Sequence, residues 1–173
     1  MAAQFVFHAV VRHNHRVTAA AEFIDAALQY EASWDRSHPD THRLRYYGTS
    51  VGAIRGTVRD AARRYPGMPH DEVMALASEL WERPVFERRL AAIVLLQSRA
   101  SELIVTDLTR LEGFLRHAEV AQLADPLVSQ VIRPLVENLD ERDLARATTV
   151  FERWVAEDSP WLRAAAEQLR DDR

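Results

Sequence analysis

Apolar residues recur along this chain at the spacing of helices with one buried face, and polar or proline-bearing breaks separate the runs. Ala21, Phe23, Ile24, Ala27 and Leu28 predict a helix that Thr18 can cap and that runs to about Glu31. Ala32–Thr41 reads as a loop. Ser50 predicts the cap of a helix to about Tyr65, with Val51, Ile54, Val58 and Ala61 or Ala62 turned inward. Pro66-Gly67-Met68-Pro69 breaks that helix. Asp71 opens the next, whose inner stripe is Val73, Met74, Leu76, Ala77, Leu80 and Trp81. Pro84–Arg99 is apolar on nearly all sides at Leu90–Leu96, which predicts the most buried helix. Ser101–His117, Glu119–Leu139, Glu141–Glu157 and Ser159–Arg170 complete the set, the last with Ser immediately before Pro at its start.

One helical phrase occurs twice. Glu79-Leu80-Trp81-Glu82-Arg83-Pro84 and Glu152-Arg153-Trp154, followed by Ser159-Pro160, each end a helix near Trp, pass a short polar break and reach a Pro suited to a first helical position. Trp81 and Trp154 lie 73 residues apart and Pro84 and Pro160 lie 76 apart. That is about two units of the roughly 34–47-residue period of paired-helix solenoids. The expectation is an all-α solenoid of stacked antiparallel helix pairs, single-domain over 1–173, whose function lies on the concave surface.

Composition narrows the chemistry. There is no Cys, so neither a disulfide framework nor thiolate chemistry is available. No apolar run approaches the ~18 residues of a membrane span. The start, from Phe5 to Val11, is apolar but lacks a basic lead-in, so it reads as a short helix or strand packed on the body and not as a signal peptide. A cytoplasmic location is expected. The formal net charge of −4 argues against a generic nucleic-acid binder. All 22 basic residues, however, are Arg, which grips phosphate in a bidentate way that Lys cannot. A GC-rich genome is the plainer source of that bias. The histidines show no metal spacing, and there is no Gly-rich phosphate loop, so no metal and no cofactor are expected.

Tyr46-Tyr47-Gly48-Thr49-Ser50-Val51-Gly52-Ala53-Ile54-Arg55, the Glu-Leu-Trp ending at Trp81 with Phe86-Glu87-Arg88-Arg89 after it, and Trp154…Ser159-Pro160-Trp161-Leu162-Arg163 resemble the AlkD-type DNA alkylation repair proteins. Residues 45–173 carry the likeness, and 1–44 match it less well. The resemblance implies a HEAT-like repeat fold and a DNA glycosylase releasing N3- or N7-alkylpurines from duplex DNA. In that family two Trp faces and an Asp surround the sugar cation, while an Arg grips the neighbouring phosphate. An aromatic face and a carboxylate both stabilise a developing cation.

Carried over by the resemblance, the Asp falls on Asp125. Ala121 stands where the ring four residues earlier would be, and Ala164 where the phosphate-gripping Arg would be, with Arg163 one residue before it. Asp125, next to Pro126, also fits a turn or helix cap. Trp81, Trp154 and Trp161 fit core or repeat-junction packing. Arg55, Arg59 and Arg63, four residues apart, form one helix face that suits a row of phosphates or a solvated surface. With Arg88 and Arg163 they are the candidate DNA contacts, and duplex DNA is the expected partner. The alternative is a non-catalytic repeat scaffold for a protein partner. The apolar start, Phe5–Val11, is expected to cover the first helices or to join two copies into a homodimer.

Overall fold

The computed structural model describes residues 2–32 and 43–171, with side chains described from residue 15 onward. The loop expected beyond Ala32, His38 and His42, and the side chains of Phe5–Val11 and His13 lie outside what is described. Among the described residues the chain is helical: α1 (Ala2–Tyr30), α2 (Val51–Arg64), α3 (His70–Glu82), α4 (Phe86–Ser98), α5 (Leu108–Arg116), α6 (Ala121–Leu127), α7 (Arg133–Glu137), α8 (Glu141–Ala156) and α9 (Pro160–Asp171). Short 3-10 turns occupy Ala100–Glu102 and Val105–Asp107, and a π-helical turn, Val128–Ile132, joins α6 to α7. No strand forms among these residues; one isolated bridge pairs Arg45 with Val85. The all-α expectation holds. No described helix is long and apolar enough to cross a membrane. The contacts gather into two compact units, Met1–Leu95 and Leu96–Arg173, divided inside α4.

In the first unit α1 packs on α2 and α3. Its core joins Ile24 and Leu28 of α1, Ile54 and Val58 of α2, and Met74 and Leu80 of α3, all buried. Each such side chain contributes about 1.5–3 kcal/mol relative to leaving it in water. Ser50 caps α2 as its sequence predicts, its side chain accepting the Ala53 N–H at 3.2 Å. Several expected ends move. Thr18 caps nothing: α1 runs through it from Ala2, and the Thr18 hydroxyl donates to Glu79 at 3.4 Å. Nothing between Arg12 and Val17 breaks a helix, so the apolar start and the amphipathic run fuse into one element. Val51, expected inward, is 50% exposed at the open end of α2. α3 begins at His70 after Pro69, not at Asp71. Pro84 opens no helix, because its carbonyl accepts the Arg45 N–H at 2.9 Å and α4 begins at Phe86. The run Leu90–Leu96 is buried apart from half-buried Val94, as its composition predicts.

In the second unit α9 packs on α5, α6 and α8. Leu111, Leu115, Leu123, Trp154, Leu162 and Ala166 are fully buried there. Asp140 caps α8 by accepting the Asp143 N–H at 2.8 Å, and Pro160 is the first residue of α9, as expected. From Leu123 to Leu135 the buried residues come in pairs at every fourth position: Leu123 and Ala124, Leu127 and Val128, Val131 and Ile132, then Leu135. A regular α-helix drifts about 40° in four residues. The wider turn, in which the Arg133 N–H reaches the Val128 carbonyl, takes up that drift. Pro134 favours it as well, since in a regular helix its ring would clash with the carbonyl four residues back.

Candidate functional site

The segment that carries the Tyr-Tyr-Gly phrase is fixed by a carboxylate. Glu87, 2% exposed in the first turn of α4, accepts the Tyr47 N–H at 2.9 Å and the Gly48 N–H at 2.8 Å. Gly48 has φ +79°, a left-handed conformation in which a Cβ is strained. The Thr49 hydroxyl donates to the Leu28 carbonyl at 2.7 Å, and Tyr46 stacks on Phe86 with ring centroids 5.2 Å apart. The quoted residues therefore serve to lay the approach to α2 across the start of α4.

Beside this strap lies Asp25, on the inner stripe of α1. Its carboxylate pairs with Arg88 at 2.8 Å and accepts the Tyr47 hydroxyl at 2.9 Å and the Gln29 amide at 3.0 Å. Burial alone would push Asp25 up. The hydrogen bonds from Arg88 and Tyr47, with the charges of Arg88 and Arg83, outweigh it and hold the carboxyl below the usual aspartate range. Tyr47 is pushed up, by burial first and then by its bond to Asp25. A cleft of about 330 Å³ opens here, lined by Glu22, Asp25, Glu79 and Glu82 against Arg83 and Arg88. With both guanidiniums drawn to Asp25, its free charge is negative, which repels phosphate. Arg88, expected among the DNA contacts, is instead an interior residue: it is 3% exposed and also donates to the Glu79 carbonyl at 3.0 Å. Its charge is used inside the fold.

The second unit has its own buried carboxylate. Glu112 on α5 accepts the Trp154 ring N–H at 2.8 Å and pairs with Arg153 and, at 2.8 Å, with Arg116. Burial raises its pKa, and the bonds from Trp154, Arg153 and Arg116 more than reverse that, leaving it lowered. Arg116 reaches Glu157 as well, at 2.9 Å. Trp154 is fully buried and Trp81 is 5% exposed, so both serve the core, while Trp161 is half-buried. Sequence reading missed Asp25, Glu87 and Glu112. The available signal was a charge on an apolar stripe: Asp25 is four residues from Ala21 and three from Leu28, and Glu112 is four from Leu108.

The remaining candidates are on the surface. Arg55, Arg59 and Arg63 are exposed on α2, with Arg63 paired to Asp60 and the other two without an ion pair among the described residues. Asp125 is exposed on α6, inside the helix and not at its cap, and its carbonyl accepts the Ser129 hydroxyl at 2.8 Å. Arg163 is exposed on α9, a helix packed on α6 within the same unit. Ala121 and Ala164 are exposed too. Asp125 thus has no aromatic ring one turn before it. The α2 arginines belong to the first unit, Asp125 and Arg163 to the second.

A protein-family model described as DNA alkylation repair enzyme matches residues 13–169, and the chain belongs to that family. The membership supports a role in DNA alkylation repair. No curated protein matches the chain.

Proposed function

We propose that this protein binds alkylated duplex DNA on a HEAT-like helical-repeat surface and that Asp125 stands at the centre of any base-releasing chemistry. The observation that carries the reading is the solvent-exposed carboxylate of Asp125 on α6, within the span matched by the repair family. In a glycosylase, that carboxylate would stabilise the sugar cation and orient the attacking water as the bond to an N3- or N7-alkylpurine breaks. Arg55, Arg59 and Arg163, exposed and unpaired among the described residues, are the phosphate contacts. Release is expected to be slow. Ala121 and Ala164 supply neither ring nor guanidinium, and losing one such group commonly costs ~2–4 kcal/mol of transition-state stabilisation.

The test is duplex DNA carrying 7-methylguanine, followed by fluorescence anisotropy at two salt concentrations and by single-turnover base release. Binding that weakens steeply with salt, and slow release abolished by Asp125→Asn, are the expected results. Release that ignores Asp125→Asn removes the residue from the site. Salt-insensitive or absent binding supports the second reading, a scaffold for a protein partner, which the second unit's 10 Arg against 15 Asp and Glu favours.

A further inference from the structure

In the first unit α1 and α3 pack together, yet the faces they turn to the cleft of about 330 Å³ carry charge of one sign. α1 contributes Glu22 and Asp25, three residues apart and so on one face, and α3 contributes Glu79 and Glu82 at the same spacing. Asp25 is answered from within, by Arg88 at 2.8 Å. The glutamates are not. Among the described residues Glu22 and Glu82 have no ion pair, and Glu79 accepts only the Thr18 hydroxyl, at a long 3.4 Å. Arg83 leans toward Asp25 at 3.6 Å and is outnumbered by them. A concave wall of one sign concentrates ligands of the opposite charge.

The inner wall adds a second demand. Arg88, 3% exposed, lines the cleft and donates to the Glu79 carbonyl at 3.0 Å as well as pairing with Asp25. Its Nε–H is buried with no hydrogen-bond partner among the described residues. A buried donor left unmade costs stability until an acceptor reaches it. The cleft thus calls for cations among its glutamates and for an acceptor at its wall. A metal ion or a simple polyamine brings cations alone. A peptide bearing Lys or Arg brings both, because each of its residues carries a backbone carbonyl.

We propose that the groove between α1 and α3 docks a basic peptide segment of another protein, whose Lys or Arg cations enter among Glu22, Glu79 and Glu82 while a backbone carbonyl accepts the Arg88 Nε–H. Asp25 and Arg88, braced against each other, form the fixed floor of this site. The docking does not depend on Asp125 or on DNA.

The probe is a capped, fluorophore-labelled peptide, Gly-Arg-Lys-Arg-Gly, titrated into the full chain by fluorescence anisotropy at low salt, with unlabelled spermidine as competitor. Glu22→Gln with Glu82→Gln is compared with Glu141→Gln plus Glu152→Gln, an equal change of charge at exposed sites of the second unit. Thermal melting is the folding control for both variants. The groove variant should weaken binding about fivefold or more, and the distant one by less than about twofold, since exposed charges far apart are screened. Spermidine should displace the peptide only in large excess. Equal weakening in the two variants, or no binding by the wild type, overturns the proposal. Spermidine that competes as tightly as the peptide overturns the peptide as occupant, since a bare polycation then suffices.

Discussion

Asp25 in the first unit and Glu112 in the second are both carboxylates set among apolar neighbours, yet they are held differently. Asp25 relies on Arg88, whose side chain is 4% exposed, and on the hydroxyl of Tyr47. Glu112 relies on Arg116 and Arg153, whose side chains are 38% and 55% exposed, and on the buried ring N–H of Trp154. In the first unit, therefore, both charges have been taken from water and each depends on the other. In the second, only the acid has been taken from water, and water can stand in for either cation. A buried pair broken on one side leaves an uncompensated charge, whereas an exposed partner is replaceable.

The largest effect should come from Arg88→Ala, which leaves the buried Asp25 charge with two neutral donors, Tyr47 and Gln29, and the largely exposed Arg83 at 3.6 Å. The expected loss is ~3 kcal/mol or more in denaturant unfolding, and a loss below 1 kcal/mol would break the comparison. Glu112→Gln should cost less, about 1–3 kcal/mol, because it weakens the acceptor for Trp154 and frees two arginines that water can solvate. A thermal melt of the same variant checks this.

Acid sharpens the contrast further. Both carboxyls have lowered pKa values, so the unfolded chain binds more protons and stability rises with pH. Their contribution is complete above about pH 5, beyond the ordinary carboxyl values, and is lost as pH falls through those values toward the lower folded ones. Unfolding followed between pH 5 and 2 should flatten in Asp25→Asn and in Glu112→Gln. A profile unchanged by either substitution would show that these groups do not titrate with folding. Arg153→Ala should be the mildest change, roughly 0.2–1 kcal/mol, since its partner keeps Arg116 and Trp154. A loss as large as that of Arg88→Ala would erase the distinction between the units.

How far the sequence speaks depends on how local the deciding contact is. Ser50, Pro160 and the Leu90–Leu96 run were legible because a cap, a first helical position and an all-round apolar helix are set by neighbours in the chain. Pro84 carried the same local signal as Pro160 and came out differently, since the bridge between Arg45 and Val85 claims its surroundings. Thr18 looked like a cap only because the short helix or strand read over Phe5–Val11 was not expected to run on through it. Arg88 looked like one more surface cation, because nothing near it in sequence announces Asp25. Trp154 likewise gives no hint of Glu112, 42 residues away. Asp125 was found through resemblance, whereas the π-helical turn after it was not anticipated, its trace in sequence being the four-residue beat of apolar pairs.

Glu87 gathers the Tyr47 and Gly48 amides onto one carboxylate, so two amides of an irregular segment are closed by a side chain of α4. Their exchange with solvent deuterium should accordingly follow the opening of that helix and not the fraying of a loop. Shortening the side chain by one methylene in Glu87→Asp would pull the acceptor back, and both amides should then exchange together, ahead of the helix that had protected them.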